Sequence, residues 1–294
     1  MFFNTLGPLI VVLACILSTQ TIAFIVSADN SFTLHYIAYL TIGLQWIFFA
    51  HARGCSATKR TEKHFDVVGS ATFVSAIIVN FVISGHYSIR TVFLNLLIII
   101  WTVRLGAFLN ARITRNNGID ARFADFKTSL CRFLMIWTLQ GVWVFIMLLP
   151  LLIISQNEKN IQLEALDYIG CILFIAGILI ESISDYQKLQ FRSESKNKDK
   201  FIKSGLWTYS RHPNYFGEIL LWCSIAVIAF SGSQSWLVFI SPAFIASMLI
   251  FGSGIPILEK NADEKFGHYE EYKIYKKSTP VLVPFIGRCG DAMF

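Results

Sequence analysis

Eight apolar stretches, each near the length a helix needs to cross a bilayer, constrain this chain more than any other feature. They run roughly over 6–28, 33–50, 67–84, 91–111, 133–154, 166–184, 216–231 and 235–257. The expected fold is all-α: a polytopic membrane helix bundle of about eight spans. Composition agrees, with 54% hydrophobic and only 15% charged residues, where a soluble domain carries roughly a quarter charged. A soluble enzyme, a disordered scaffold and a secreted disulfide framework are poor fits. The first stretch lacks a basic leader and exceeds a signal-peptide core in length, so it is read as a retained helix. Cys15, Cys55, Cys131, Cys171, Cys223 and Cys289 are scattered with no CxxC. They read as small apolar fillers.

The basic residues give the expected topology. Loop 51–66 holds Arg53, Lys59, Arg60 and Lys63; loop 112–132 holds Arg112, Arg115, Arg122, Lys127 and Arg132. Loop 185–215 holds seven more, and the tail from 258 another six, Arg288 the last. With eight spans all four segments fall on one side, which takes 22 of the 25 basic residues. The opposite loops hold only Arg90 and Lys159, and Arg104 lies inside span four. This positive-inside pattern puts both termini in the cytosol. The net charge of +6 therefore reports membrane topology, and no nucleic-acid partner is expected. No internal repeat supports an inverted-repeat transporter.

Polar chemistry concentrates between 181 and 285. Glu181 and Asp185 are four apart and share a helix face at the end of span six. A carboxylate there needs a partner or a wet cavity; pairing with Arg104 or reaching the interface are the plainer readings. In the run Gly205-Leu-Trp-Thr-Tyr-Ser-Arg-His-Pro-Asn-Tyr-Phe-Gly-Glu218, Pro213 fits a helix start. Asn214, Gly217 and Glu218 then occupy the first turns of span seven. Arg211 and His212 can meet an anion at that helix start, or serve as an interfacial anchor. The third cluster holds Glu259, Lys260, Asp263 and Lys265, then Glu271, Tyr272, Tyr275 and Lys276. Its phase predicts a short amphipathic helix on the membrane surface. The topology brings the three clusters to one cytosolic face. His35, His51, His64, His86 and His268 show no metal-ligand spacing, so no metal is expected. Gly252-Ser-Gly254 reads as a site of close helix packing. Asp66, at the start of span three, reads as an intramembrane acid or a helix cap.

With these residues in view, the chain resembles the DUF1295 membrane proteins, relatives of the steroid 5-alpha-reductases and sterol reductases. The 205–218 phrase is close to that family's hallmark. The Glu181/Asp185 spacing and the run Ser253-Gly-Ile-Pro-Ile-Leu-Glu-Lys260, leading to a Tyr/Lys tail and Pro284-Phe285, also match. Looser similarity reaches back through Gln140-Gly141 and Trp101-Thr-Val-Arg-Leu105. The resemblance implies one membrane domain over 1–294. Helices of 1–180 would form the lipid-substrate side, and 181–294 a cofactor-binding region. It implies that Asp185 and Asn214 touch NADPH, with Glu181 where the family carries an amide. Arg211, His212, Tyr215, Glu218, Lys260, Tyr272 and Lys276 would line or close the pocket. The implied reaction is hydride transfer to a polarised carbon–carbon double bond of a hydrophobic lipid, a steroid, sterol, polyprenoid or fatty acyl chain. The family's substrate-polarising acid has no clear equivalent, and Asp66 is the best acid by position. The tail carries Lys where the sterol reductases carry more Arg, which leaves NADPH against NADH open. Isoprenylcysteine carboxyl methyltransferases, which use S-adenosylmethionine, share the Arg-His-Pro-x-Tyr-x-Gly phrase. That keeps a methyltransferase as the alternative and a non-enzymatic lipid-binding protein as the third reading. The resemblance implies the endoplasmic reticulum membrane for a eukaryotic protein; oligomeric state stays open.

Overall fold

The protein is described by a computed structural model, which covers residues 2–27, 32–54, 59–85, 87–156, 159 and 162–286, without the side chains of 2–5 and 121. Cys55, His86, Arg288 and Cys289 lie outside the described residues. Those described are helical, with no strand among them. The helices are α1 (Phe2–Val26), α2 (Phe32–Ala52), α3 (Phe65–Ser84), α4 (Ile89–Arg115), α5 (Leu130–Gln156), α6 (Ala165–Ser193), α7 (Pro213–Ser233), α8 (Ile240–Phe251), α9 (Ile255–Phe266) and α10 (Glu270–Ser278). Eight segments are long and apolar enough to cross a membrane, as the sequence predicts. The eighth combines α8 and α9. Cys15, Cys131, Cys171 and Cys223 are free thiols.

The chain divides into two compact units, Met1–Leu163 with Ala229–Ser241, and Glu164–Ile228 with Pro242–Phe294. In the first unit α5 is buried along almost its whole length, as expected for a helix apolar on every side. It packs against α1, α2 and α3. Those outer helices leave Leu17, Phe24, Ile47 and Val82 exposed, a face suited to lipid chains. Gly141 permits the closest approach. A Cβ there would come within 2.9 Å of Ile42 Cα and 3.0 Å of the Thr41 carbonyl oxygen. Polar pairs cross the same interfaces. Gln45 Nε2 donates to Thr72 Oγ1 at 2.9 Å, Trp46 Nε1 to Thr138 Oγ1 at 2.9 Å and Asn80 Nδ2 to Ser155 Oγ at 3.0 Å. In a lipid environment such bonds keep buried polar groups satisfied between helices.

Asp66 stands in the first turn of α3, two residues past the N-cap position held by His64. It is therefore not the cap. Its carboxylate lies 3.5 Å from Arg112 Nη2 and 3.7 Å from Arg122 Nη2. Arg122 also grips Asp120, and buried Glu62 accepts from Lys127 Nζ at 2.8 Å and from the Asp120 N–H at 3.0 Å. This lattice ties loop 53–64 to loop 116–129. Asp66 thus has two guanidinium neighbours, and Arg104 lies over the Phe108 ring at 5.6 Å.

In the second unit α6 runs nine residues beyond the apolar stretch, to Ser193. Glu181, Asp185 and Lys188 therefore sit within a helix and not at its end. Glu164 and Asp167 form a reciprocal capping box at its start, which satisfies two orphan N–H groups. Pro213 opens α7 as expected. The two helices touch at Gly177 and Gly217. A Cβ on Gly217 would fall 2.6 Å from Glu181 N and 2.7 Å from the Gly177 carbonyl oxygen. Two expectations are corrected. Gly252-Ser-Gly254 is a break between α8 and α9, where added Cβ atoms would strike the Met248 and Leu249 carbonyls of the preceding turn. The charged tail is two helices, α9 and α10, parted at Gly267-His268.

Candidate functional site

The second unit holds a cleft of about 530 Å³, bounded by the end of α6, the 194–202 loop, the Trp207–His212 segment, α9 and α10. That volume lies within the range of small-molecule sites, roughly 300–1,000 Å³. Local sequence explains its walls. Gly205 takes φ +65°, and a Cβ there would fall 2.4 Å from the Gln187 amide. Gln187 Oε1 in turn accepts the Leu206 N–H at 3.0 Å. Trp207, 3% exposed, donates Nε1–H to the Ser184 carbonyl at 3.1 Å. Lys188 Nζ lies 4.6 Å over its ring, a cation–π contact. The Arg211 N–H donates to the Pro280 carbonyl at 2.9 Å, and Ser210 Oγ to that of Leu282 at 2.7 Å. These bonds pin residues 280–282 against the segment that leads into α7.

Glu259, on the first turns of α9, organises the inner wall. Its Oε2 lies 2.8 Å from Arg211 Nη1 and 3.7 Å from Lys276 Nζ, and its Oε1 lies 2.9 Å from His212 Nε2. The His212 ring stacks on Tyr215, with centroids 5.6 Å apart and planes 12° apart. Lys276 also binds Asp263 at 2.6 Å, and Tyr272 donates its hydroxyl to Asp263 at 3.1 Å. Burial, then the Asp263 hydrogen bond, push the Tyr272 hydroxyl well above its ordinary range. Burial does the same to Tyr275, whose hydroxyl donates to the Trp207 carbonyl at 2.7 Å. Both stay neutral donors. Three buried atoms on this wall find no hydrogen-bond partner among the described residues: His212 Nδ1, Arg211 Nε and Arg211 Nη1, the last held by Glu259 as an ion pair.

Burial holds His212 below its ordinary value of 6.5; the Glu259 hydrogen bond and charge pull the other way and are outweighed, with Lys188 and Arg211 adding to the lowering. The ring is therefore neutral at pH 7. An imidazole lowered on folding makes the unfolded state the better proton acceptor, so stability is lost as pH falls below the unfolded value. Wild-type protein is expected to lose stability faster between about pH 6.5 and 5 than His212→Gln, by at most about 1.4 kcal/mol per pH unit. Parallel slopes in chemical denaturation across that range would remove the burial argument.

The structure sorts the sequence-predicted residues into three groups. Arg211, His212 and Tyr272 line the cleft. Glu181, Asp185, Asn214, Tyr215 and Glu218 sit on α6 and α7 and are not among the residues that line it. Glu181 is 2% exposed against Gly217, and Asn214 Nδ2 donates to Asp185 Oδ1 at 3.2 Å. Asp185 is three residues before cleft-lining Lys188 and so shares its face. Lys276 braces Glu259 from outside. Lys260 lies outside the cleft, largely exposed, with Glu264 at 3.9 Å. Sequence reasoning passed over Glu259 as a site residue, although it stood in the third cluster. It also read 192–204 as a plain polar loop, whereas Arg192, Lys198 and Lys200 line the cleft.

Eight helices of bilayer length, with a cleft walled by polar helix ends and loops, define a polytopic helical membrane protein. Residues 53–279 match the family described as "Protein of unknown function (DUF1295)", and the chain belongs to that family. It is also similar to 3-oxo-5-alpha-steroid 4-dehydrogenase 1 of Macaca fascicularis, 29% identical over 119 residues, which are 40% of this chain and 40% of that protein. The type 2 protein of Sus scrofa is 30% identical over 118 residues, 40% of this chain and 42% of its own length. An uncharacterized protein of Schizosaccharomyces pombe is 26% identical over 138 residues, 41% of this chain and 40% of its own length. The chain thus matches about two fifths of the length of these relatives. No solved structure matches it significantly.

Proposed function

We propose that the protein is a membrane-embedded, NAD(P)H-dependent reductase of a carbon–carbon double bond in a lipid. The observation that carries this reading is the inner wall of the cleft. Arg211, 11% exposed, and buried His212 stand among the residues that line it, with Lys188 and Arg192. Six cationic side chains line the cleft against two acidic ones, Glu194 and Glu259. Glu259 is itself engaged by Arg211 and His212. A surplus of that sign suits the phosphates of a dinucleotide. It disfavours S-adenosylmethionine, whose sulfonium would add a further cation. The similarity to proteins named as steroid dehydrogenases supports the same class.

In this reading the bound cofactor supplies the hydride. Arg211, Lys188 and Arg192 neutralise phosphate charge. Neutral His212 is fixed in orientation by Glu259 at Nε2 and by the Tyr215 ring, and so shapes the inner wall. Asp185 and Asn214, joined to each other beside the cleft, are the contacts for ribose or nicotinamide. The basic loops carry the cleft, with both chain termini, to the cytosolic side. The hydrophobic substrate enters from the bilayer.

The test is ligand binding to the purified full chain in detergent, with NADPH, NADH and S-adenosylmethionine as separate probes. A ligand at 100 times its Kd stabilises the folded state by about 2.7 kcal/mol. A nicotinamide dinucleotide is expected to raise the unfolding midpoint, and S-adenosylmethionine is not. A shift with S-adenosylmethionine alone would make the protein a methyltransferase. A shift with none, in folded protein, would favour the non-enzymatic lipid-binding reading.

A further inference from the structure

A cleft that takes phosphates has no direct use for an acid, yet Glu259 lines it, amid Arg211, His212 and Lys276. A carboxylate beside a polyanion repels it, and such like-charge contacts cost affinity. The contacts of Glu259 supply a reason for its presence. Its two oxygens hold two consecutive residues, Oε1 at 2.9 Å from His212 Nε2 and Oε2 at 2.8 Å from Arg211 Nη1. Among the described residues, Glu259 is the one carboxylate within ion-pair distance of the Arg211 guanidinium. Lys276 differs, because Asp263 holds it at 2.6 Å and Glu259 lies 3.7 Å away. A carboxylate only accepts hydrogen bonds, so its bond to His212 places the ring proton on Nε2. One acid on α9 therefore fixes a guanidinium and an imidazole that both come from the segment before α7.

We propose that Glu259 is a positioning residue, which holds the Arg211 guanidinium and the His212 ring in place for a phosphate-bearing ligand and acts on that ligand through them. The identity of the ligand, a nicotinamide dinucleotide, rests on the reductase reading; the role of Glu259 rests on its own contacts. A guanidinium held in advance loses less freedom when a phosphate arrives than one that must be ordered by the ligand. That gain outweighs the repulsion from a carboxylate already engaged by Arg211, His212 and Lys276.

The experiment compares wild type with Glu259→Gln in the full chain in detergent. Glutamine keeps the shape and an oxygen for His212 but removes the charge that holds Arg211. Isothermal titration with NADPH, and separately with inorganic pyrophosphate, reads the affinity. A loss of about tenfold or more is expected in the variant, because the ligand must then order a long side chain itself. Charge alone predicts the opposite sign, since one acid fewer favours a polyanion. The second readout is the His212 tautomer at neutral pH, from nitrogen NMR of histidine-labelled protein, with the signal assigned by its loss in His212→Gln. Wild type should show the Nε2–H form. The glutamine amide both accepts and donates, so Glu259→Gln should show a mixture with the Nδ1–H form, which a residue serving stability alone would not produce. Pyrophosphate separates the two failures. Binding of pyrophosphate with no binding of a dinucleotide would end the reductase reading, and the two proteins' pyrophosphate affinities would still decide the role of Glu259. Equal or tighter binding by Glu259→Gln, an unmixed tautomer in that variant, an Nδ1–H wild type, or a wild type that binds neither probe would overturn the proposal.

Discussion

Arg211→Met is expected to weaken NADPH binding about 100-fold or more while leaving the protein folded. Removing one member of a buried charge pair with a ligand costs roughly 2–5 kcal/mol, and about 1.4 kcal/mol corresponds to tenfold. The side chain is 11% exposed and lines the cleft. Its loss does not orphan Glu259, which keeps His212 at 2.9 Å and Lys276 at 3.7 Å. The backbone bond from residue 211 to Pro280 is untouched. Lys260→Met is the matched control. That side chain is 76% exposed and carries only a long contact to Glu264, so binding should change less than about twofold, as for weak surface pairs. Isothermal titration on both variants reads the contrast. Equal effects from the two would show that cleft geometry does not select the cations that matter.

Different physical signals account for what the sequence reveals and what it conceals. The spans are legible because each must bury some 20 apolar residues, and a run of that kind is local. Where a helix stops is less legible once it leaves the apolar stretch. In α6, Glu181-Ser-Ile-Ser-Asp-Tyr-Gln-Lys188 contains no Gly or Pro, so nothing breaks the helix before Ser193. Conversely, Gly252-Ser-Gly254 gives the same local signal whether glycine serves packing or ends a helix. The outcome depends on Met248 and Leu249 in the preceding turn.

Site residues divide in the same way. The Arg211-His212-Pro213-Asn214 run is legible because Pro213 fixes a helix start. Glu259 is not, because its three partners lie 48 and 47 positions upstream and 17 downstream, and only tertiary packing unites them. Asp66 shows the converse. An acid at the start of an apolar span is plain in the sequence, but its neighbours Arg112 and Arg122 approach it from distant segments. Positive charge in 192–204 is obvious in the sequence, but whether such a loop faces water, lipid headgroups or a cleft depends on where Trp207 and α9 anchor it.

Gly217→Val should be the most damaging single change in the second unit, costing about 3 kcal/mol or more. Overpacking ordinarily costs about 1–3 kcal/mol when side chains can shift. Here the atoms in the way are backbone: Glu181 N at 2.6 Å and the Gly177 carbonyl oxygen at 2.7 Å from the new Cβ. Neither can turn aside, so α6 and α7 must part, and in lipid close approach at small residues is what holds such helices together. The same parting separates Asn214 from Asp185, so nucleotide binding should fall with stability. Gly43→Ala supplies the contrast. Gly43 lies within α2 with no heavy atom inside 4 Å of an added Cβ. Replacing an unobstructed helical glycine by alanine gains up to about 1 kcal/mol. Unfolding in mixed micelles should therefore move in opposite directions for the two variants. A Gly217→Val protein with an unchanged midpoint would mean that α6 and α7 do not meet at that residue, and the Asp185–Asn214 pairing would go with it.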